Sequence, residues 1–298
     1  MSELRRKRFL TCFVRPVIKF LRALAGNKKA CFGSIVLLLF ILMATIGPSI
    51  IPLDLRSNYL ERYQLPSTKH LLGTDFMGRD IFQQLVHGSR DVMITAFLGG
   101  LFAMLLGVVI GSIAGFGSRY TDMVLMRIVD VFLTVPSFPV MMILAASFRV
   151  KDPVSIGLIL AVWSWPGLAR DIRSQILSLK QREFIEAAKM LDLGTTRILF
   201  NELVPNLMPY ITVNFVRLVR GALTASVGLM FLGLIPYSPT NWGMMLNLAI
   251  FQTGSIYVPR GLFYVLAPMG SIILFQYGAL CFAQGLDEWF NPRLRAHE

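Results

Sequence analysis

Six long apolar runs constrain this chain more than any other feature of its sequence. Each approaches the ~20 residues that a helix needs to cross a bilayer, and they cover residues 31–53, 92–116, 123–147, 154–172, 208–233 and 262–286. Charged residues make up 15% of the 298-residue chain, whereas soluble domains carry about 25%. The sequence therefore predicts an all-α membrane protein with six transmembrane helices.

The distribution of basic residues predicts how these spans are oriented. Nine Lys and Arg residues and one acidic residue precede residue 31. Six more basic residues lie in or just before the loop 174–207, whereas the links 148–153 and 234–261 carry only three between them. Because positive charge marks the cytoplasmic side, we expect both termini and this loop in the cytoplasm of a multi-pass plasma-membrane or inner-membrane protein. Since the basic residues lie between apolar runs, the net charge of +12 does not indicate nucleic-acid binding.

An amphipathic helix on the membrane surface is predicted at residues 1–30. Arg15, Lys19 and Arg22 share one side of that helix, opposite an apolar stripe, and such a helix contacts anionic lipid. A solvated basic tail is the alternative. The three cysteines lie far apart and fit no metal-ligand spacing, so we expect no metal and no other cofactor.

The segment 54–90 is predicted to lie outside, between the first two spans. Its glycines allow tight turns, and Asp75 or Asp80 can cap the short amphipathic helix that is predicted to follow. The motif residues are Gly73, Thr74, Asp75, Gly78, Arg79 and Asp80. In the third run, Arg127 and Asp130 are predicted to neutralise each other, and Pro136 and Pro139 predict a bend.

The loop 174–207 is too polar to cross the membrane. Helix-favouring residues run from 178 to 191, Gly194 interrupts them, and a second short helix is predicted from 196 to 203, before Pro205. Glu186, Ala187 and Ala188 would form a patch in which small side chains let the helix enter a groove and the carboxylate meets an arginine. A solvated surface helix without further role is the alternative.

Several motifs resemble those of a known family. Glu186-Ala187-Ala188, followed by Leu203-Val204-Pro205-Asn206, resembles the cytoplasmic loop signature of permease subunits of ATP-binding-cassette (ABC) importers. The external motif 72–80, with Gly88-Ser89-Arg90, resembles the second permease of the dipeptide, oligopeptide and nickel importers, as do Asn241-Trp242-Gly243 and Asn291-Pro292-Arg293. The likeness covers residues 25–294.

The resemblance implies a type I ABC importer fold and a non-catalytic translocation subunit. It implies pairing with a second homologous permease, two ATPase subunits and an external solute-binding protein. The chain has no phosphate-binding Gly-x-x-x-x-Gly-Lys-[Ser/Thr] motif, so ATP hydrolysis is expected in the partners. The residues expected to couple to the ATPase are Glu183, Glu186, Ala187, Ala188, Asp192, Gly194 and Pro205.

One position departs from the family pattern. The family usually has glycine four residues after the second alanine, where this chain has Asp192. This predicts a turn displaced toward Gly194. The resemblance divides the chain into an N-terminal helix at 1–30, a first span with its external segment at 31–91, a permease core at 92–290 and a tail at 291–298.

Arg217 and Arg220 lie inside the fifth apolar run on one helix face. Charge at membrane depth is costly unless it faces a wet cavity or a counterion, so both are candidates for the lining of a translocation cavity that attracts carboxylates. The alternative is a structural pair with Asp130, Glu202 or the partner permease. Peptides are the expected cargo; oligosaccharides or nickel remain alternatives, and a membrane enzyme or a channel is a different class.

Overall fold

The computed structural model describes residues 27–148, 152–235 and 238–290, and its described part is helical. Most of the predicted surface helix at 1–30 and the tail at 291–298 lie outside the described residues. We number the longer helices along the chain: α1 Lys28–Thr45, α2 Ile81–Phe116, α3 Arg119–Thr134, α4 Ser137–Ser147, α5 Pro153–Ser164, α6 Pro166–Leu179, α7 Glu183–Met190, α8 Val204–Phe231, α9 Trp242–Asn247 and α10 Leu262–Phe290.

Shorter turns of helix connect these elements. They are Gly47–Ile50, Tyr59–Glu61, Thr195–Arg197, Ile198–Leu203, Leu248–Gln252, Ser255–Tyr257 and Pro259–Gly261. The turns at 195–203 lead without interruption into α8, so that one helical stretch runs from Thr195 to Phe231.

Four of the described helical stretches are long and apolar enough to span a membrane. They are Lys28–Thr45, Ile81–Phe116, Thr195–Phe231 and Pro259–Phe290, and α3 with α4 makes a fifth if that bent pair counts as one span. The fourth predicted run is divided, because α5 ends at Ser164 and Pro166 begins α6. With 12 residues, α5 is about 18 Å long, which is shorter than the ~30 Å hydrocarbon core.

The third predicted run is bent by 85° between α3 and α4. Val135 and Pro136 leave the helical region, with ψ angles of 128° and 120°. Proline disfavours helical backbone in the residue before it, and it has no N–H to continue the hydrogen-bond ladder. The predicted bend is confirmed, and its cause is the Val135-Pro136 step.

The central helix is α2, which packs against α5, α6 and α8. The glycines that recur every four residues along α2 face α6. If Gly111 carried a Cβ, this atom would lie 2.4 Å from the Ala169 carbonyl oxygen. Small residues of this kind let two helix backbones approach closely in lipid. The largest core cluster joins α1, α2, α8, α9 and α10 and includes Phe40, Ile81, Leu223, Trp242, Met245 and Phe275.

Candidate functional site

The helix α7 is anchored to the protein by one side. Ile185 is completely buried and Ala188 is 6% exposed, and both belong to a cluster formed with α6 and the start of the Thr195–Phe231 stretch. We call it the loop cluster; its buried members are Leu168, Ile172, Ile176, Ile185, Ala188, Ile198, Leu199, Leu203, Leu207 and Ile211. An eight-residue helix is too short to be stable alone, so these contacts hold α7 in place.

The opposite side of α7 is exposed and combines acidic with apolar side chains. We call it the exposed loop face: Glu183, Phe184, Glu186, Ala187, Met190 and Leu191. Met190 and Leu191 are 86% and 74% exposed. The expectation that Glu186, Ala187 and Ala188 form one surface patch is wrong for Ala188, because its side chain points into the loop cluster.

Asp192 occupies the left-handed position that ends α7. Its φ is +52°, and the amides of Leu191 and Leu193 donate to the carbonyls of Ala187 and Ala188 at 3.1 and 3.2 Å. This is the hydrogen-bond pattern that usually ends a helix on glycine, and aspartate tolerates it better than most residues. The turn is therefore at Asp192 and not displaced toward Gly194, whose φ is −56°.

Pro205 lies within a continuous helix and does not follow a separate short one. The predicted helix at 196–203 is instead the first part of the Thr195–Phe231 stretch, and Ile198–Leu203 is a π-helical turn. In this turn the Val204 amide donates to the Leu199 carbonyl. Proline has no N–H to donate, and a π-turn next to it lets the helix continue past the missing hydrogen bond.

Charged side chains connect α6 to the neighbouring helices. Arg173 forms a bidentate ion pair with Asp122 of α3, and Arg170 pairs with Asp130 of the same helix. The Tyr210 hydroxyl of α8 donates to Asp171 at 3.0 Å. The Arg173–Asp122 pair is partly buried, with 29% and 23% of its side chains exposed.

One of these contacts corrects the sequence-based interpretation. Asp130 pairs with Arg170, not with Arg127, because α6 packs along α3. Arg127 instead lines an open groove on α3 with Met123, Val124, Ile128 and Val131. Sequence reasoning missed Arg170 and Arg173 as partners, since 40 and 51 residues separate each pair.

The two arginines of the fifth run contact α10. The Arg220 Nε donates to the Gln276 side-chain oxygen at 2.9 Å, and an Arg217 Nη lies 4.0 Å from an Asp287 carboxylate oxygen. The Gln276 amide nitrogen in turn donates to Thr224 Oγ1 at 2.8 Å. Neither arginine pairs with Asp130 or Glu202 in the described part of the chain, so those two structural alternatives are wrong.

The external motif folds its own segment. Gly73 and Gly78 have φ angles of +78° and +77°, and a Cβ on Gly78 would lie 1.8 Å from the Asn58 carbonyl oxygen. Asp75 is completely buried, and one of its carboxylate oxygens accepts from the Met77 and Arg79 amides at 2.8 and 2.9 Å. The two glycines and Asp75 therefore maintain a tight turn. Few polar groups of the motif remain for binding a ligand.

Further hydrogen bonds tie this segment to α2. Asp80 caps α2 by accepting from the Gln83 amide at 3.0 Å, and its second oxygen lies 2.8 Å from His70 Nδ1. Thr74 Oγ1 accepts from the Gln64 amide at 2.8 Å. Capping of the following helix was predicted, but that helix is α2 itself rather than a short separate one.

Lys69 donates to Glu61 and holds the pKa of that carboxyl below its usual value.

No group of three His, Cys, Asp or Glu side chains suitable for a metal ion occurs within the described residues. The features described above are surfaces and contacts between helices: the exposed loop face, the ion pairs between α3 and α6, and the polar contacts between α8 and α10. Such an arrangement can bind a partner and transmit movement.

Comparison with known proteins identifies the family. Residues 107–296 match the family described as "Binding-protein-dependent transport system inner membrane component". The chain belongs to this family. Residues 16–66 of the permease also match the "N-terminal TM domain of oligopeptide transport permease C". The expected membership among the second permeases of dipeptide and oligopeptide importers is thus confirmed, and so is the role of a non-catalytic permease subunit.

Curated relatives align with nearly the whole permease. The oligopeptide transport system permease protein OppC of Bacillus subtilis (strain 168) is 34% identical over 272 residues, covering 91% of this chain and 87% of the relative. The dipeptide transport system permease protein DppC of the same organism is 33% identical over 276 residues, covering 92% and 85%. The di/tripeptide transport system permease protein DppC of Pseudomonas aeruginosa (strain UCBPP-PA14) is 27% identical over 290 residues, covering 94% and 93%.

The family also fixes the coarse location and partners of the permease. It is a multi-pass protein of the inner membrane, and it works in a transport system that depends on a binding protein and an ATPase.

Proposed function

We propose that this permease forms half of the translocation pathway of a peptide-importing ABC complex, pairs with a second homologous permease, and couples to one of two ATPase subunits through the exposed loop face. The observation that carries this proposal is the two-sided character of α7. Ile185 and Ala188 fix the helix to the permease, while Glu183, Glu186 and Met190 remain free to meet a partner.

The chemistry of the exposed loop face fits a groove that is apolar at its centre and basic at its rim. Met190 and Leu191 together expose a large apolar area next to the carboxylates of Glu183 and Glu186. A short amphipathic helix docks into such a groove through its apolar side chains, and its carboxylates meet arginines at the edge. This supports a separate protein subunit as the occupant.

The ion pairs between α6 and α3 supply a route for movement. A displacement of α7 moves the loop cluster, which contains residues of both α6 and α8. Arg170 and Arg173 then carry the displacement of α6 to α3 through Asp130 and Asp122. We propose that closure of the ATPases on ATP moves this unit between two discrete packings and so opens and closes the pathway.

In the proposed topology the chain crosses the membrane six times with both termini in the cytoplasm. α3 with α4 would make one broken span, and α5 with α6 another, whose combined 26 residues are about 39 Å long. The basic residues from Arg170 to Arg197 outnumber those of the links 148–153 and 234–261, which supports a cytoplasmic exposed loop face. The proposed division keeps a surface helix at 1–30, the external segment within 31–91, the permease core at 92–290 and the tail at 291–298.

Peptides are proposed as cargo because the relatives are named as oligopeptide, dipeptide and di/tripeptide permeases. An external binding protein would deliver the peptide. It would dock on the side of the membrane that carries the segment 54–80. We propose that the motif residues of this segment, among them Asp75 and Gly78, keep its shape rather than bind cargo directly.

The test uses the complete complex reconstituted in vesicles. Glu186→Lys should abolish the stimulation of ATP hydrolysis by peptide-loaded binding protein and should reduce co-purification of the ATPase, while membrane insertion stays normal. Glu202→Lys is the matched control, because it reverses a charge on the same loop outside the exposed loop face. Full stimulation with Glu186→Lys would contradict the proposed coupling surface.

A further inference from the structure

We propose that Arg220 binds the carboxylate of the peptide while it crosses the membrane. This inference rests on the proposed function and adds a specific cargo contact to it. Arg220 lies deep in the membrane-spanning helices, neutral groups hold its side chain, and it has no ion-pair partner among the described residues.

Arg220 lies near the middle of the membrane-spanning helices. Its partner Gln276 is the central residue of α10, which has 29 residues from Leu262 to Phe290. Fourteen residues on either side correspond to about 21 Å of helix in each direction. Because α8 packs along α10, Arg220 shares this depth.

Neutral groups orient the guanidinium without neutralising it. Arg220 Nε donates to the Gln276 side-chain oxygen at 2.9 Å, while the Gln276 amide donates to the Arg220 carbonyl at 3.1 Å and to Thr224 Oγ1 at 2.8 Å. Gln276 therefore uses both of its polar atoms to hold one arginine rotamer against α8. This leaves the two terminal nitrogens of the guanidinium for another partner.

No salt bridge within the described residues involves Arg220, whereas Arg217 lies 4.0 Å from Asp287. An arginine at this depth without a counterion is expensive unless it faces water or an anion. The neighbouring Gly221 and Thr224 are exposed, so this side of α8 is open within the subunit. The arrangement is a fixed positive charge on an open surface in the middle of the membrane.

A carboxylate fits this charge best, because the planar guanidinium fork binds it through two parallel hydrogen bonds. Every linear peptide whose C-terminus is not amidated carries a carboxylate there, whatever its side chains. Arg220 would therefore contact a group that all peptide cargo shares, which suits a pathway that passes many sequences. Arg217 is a poorer candidate, because Asp287 already lies within ion-pair distance.

The experiment compares uptake of two labelled peptides, trialanine and trialanine amide, by the complete complex in vesicles. The binding protein is identical in all reactions, so its own preference cancels when each variant is compared with wild type. Arg220→Gln should reduce trialanine uptake about tenfold or more and change trialanine-amide uptake less than about twofold, since a charge-assisted hydrogen bond is lost only with the acid.

Two further variants keep the test decisive. Gln276→Glu places a carboxylate beside Arg220 and should reproduce the selective loss of trialanine, while Arg220→Lys should lose less than Arg220→Gln. Arg217→Gln is the matched control and should change uptake of both peptides by the same factor. Equal losses of acid and amide with Arg220→Gln would overturn the proposal, as would loss of complex assembly, which would assign Arg220 to a carboxylate of the second permease.

Failure of this inference can be told apart from failure of the proposed function. If the wild-type complex imports both peptides and Arg220→Gln affects them equally, only the carboxylate contact is wrong. If the wild-type complex imports neither peptide but imports a nickel complex or an oligosaccharide, the peptide function itself is wrong.

Discussion

Replacing Ile185 with alanine should release α7 from the permease without changing the surface that α7 presents. The Ile185 side chain is completely buried in the loop cluster, against residues of α6 and of the Thr195–Phe231 stretch. Isoleucine-to-alanine substitutions at buried sites cost about 2–5 kcal/mol. A helix of eight residues has little stability of its own, so we expect most of this loss in the local opening of α7.

At about 3 kcal/mol, the population of the opened loop rises roughly a hundredfold. Hydrogen exchange of the purified complex in nanodiscs measures this directly on peptides that cover residues 183–193. Phe184→Ala is the matched control, because the adjacent Phe184 side chain is 39% exposed and its loss should change exchange by less than about threefold.

Measurements of ATP hydrolysis and of ATPase binding should also distinguish Ile185→Ala from Phe184→Ala. Ile185→Ala should weaken peptide-stimulated ATP hydrolysis because the helix loses its fixed position, whereas Phe184→Ala should weaken ATPase binding with α7 still ordered. If exchange at residues 183–193 stays within about threefold of wild type in Ile185→Ala, the proposed anchoring is refuted.

Further predictions concern the end of α7 and the ion pairs. Asp192→Gly should preserve the protection of the loop against hydrogen exchange. Asp192→Val should reduce this protection by about 1–2 kcal/mol, because a β-branched residue is strained at a φ of +52°. Equal protection in both variants would refute the left-handed turn. Arg173→Asp should lower the thermal stability of the complex and uncouple transport from hydrolysis, because two partly buried carboxylates then face each other. Combining it with Asp122→Arg should restore most of both losses, and a double variant no better than the single one would exclude a direct pair.

Features that depend on neighbouring residues in the chain could be predicted from the sequence. Apolar runs predict membrane helices because backbone in lipid must satisfy its own hydrogen bonds. Pro136 and Pro139 predicted a bend, and either Asp75 or Asp80 was predicted to cap the next helix, since both effects act within a few residues. The structure places the bend at Pro136 and the cap at Asp80. The loop motif was also local, because it combines helix-favouring residues with a distinctive Glu-Ala-Ala pattern.

Which side of each local element is buried depends on contacts with distant parts of the chain and could not be predicted in the same way. Periodicity places Ala187 and Ala188 on the same short helix, but α6 and the Thr195–Phe231 stretch decide that Ala188 faces inward. The left-handed backbone of Asp192 also depends on tertiary contacts, because the chain must turn at this residue once α7 has packed into the loop cluster.

Charge partners were decided in the same way. Arg220 and Gln276 are 56 residues apart, and Arg170 lies 40 residues from Asp130. Of these residues, the sequence marks Arg220 as unusual at membrane depth, because a charge is costly there. Which of them meet depends on how α3 packs on α6 and α8 on α10, and helix packing is fixed by contacts between distant parts of the chain.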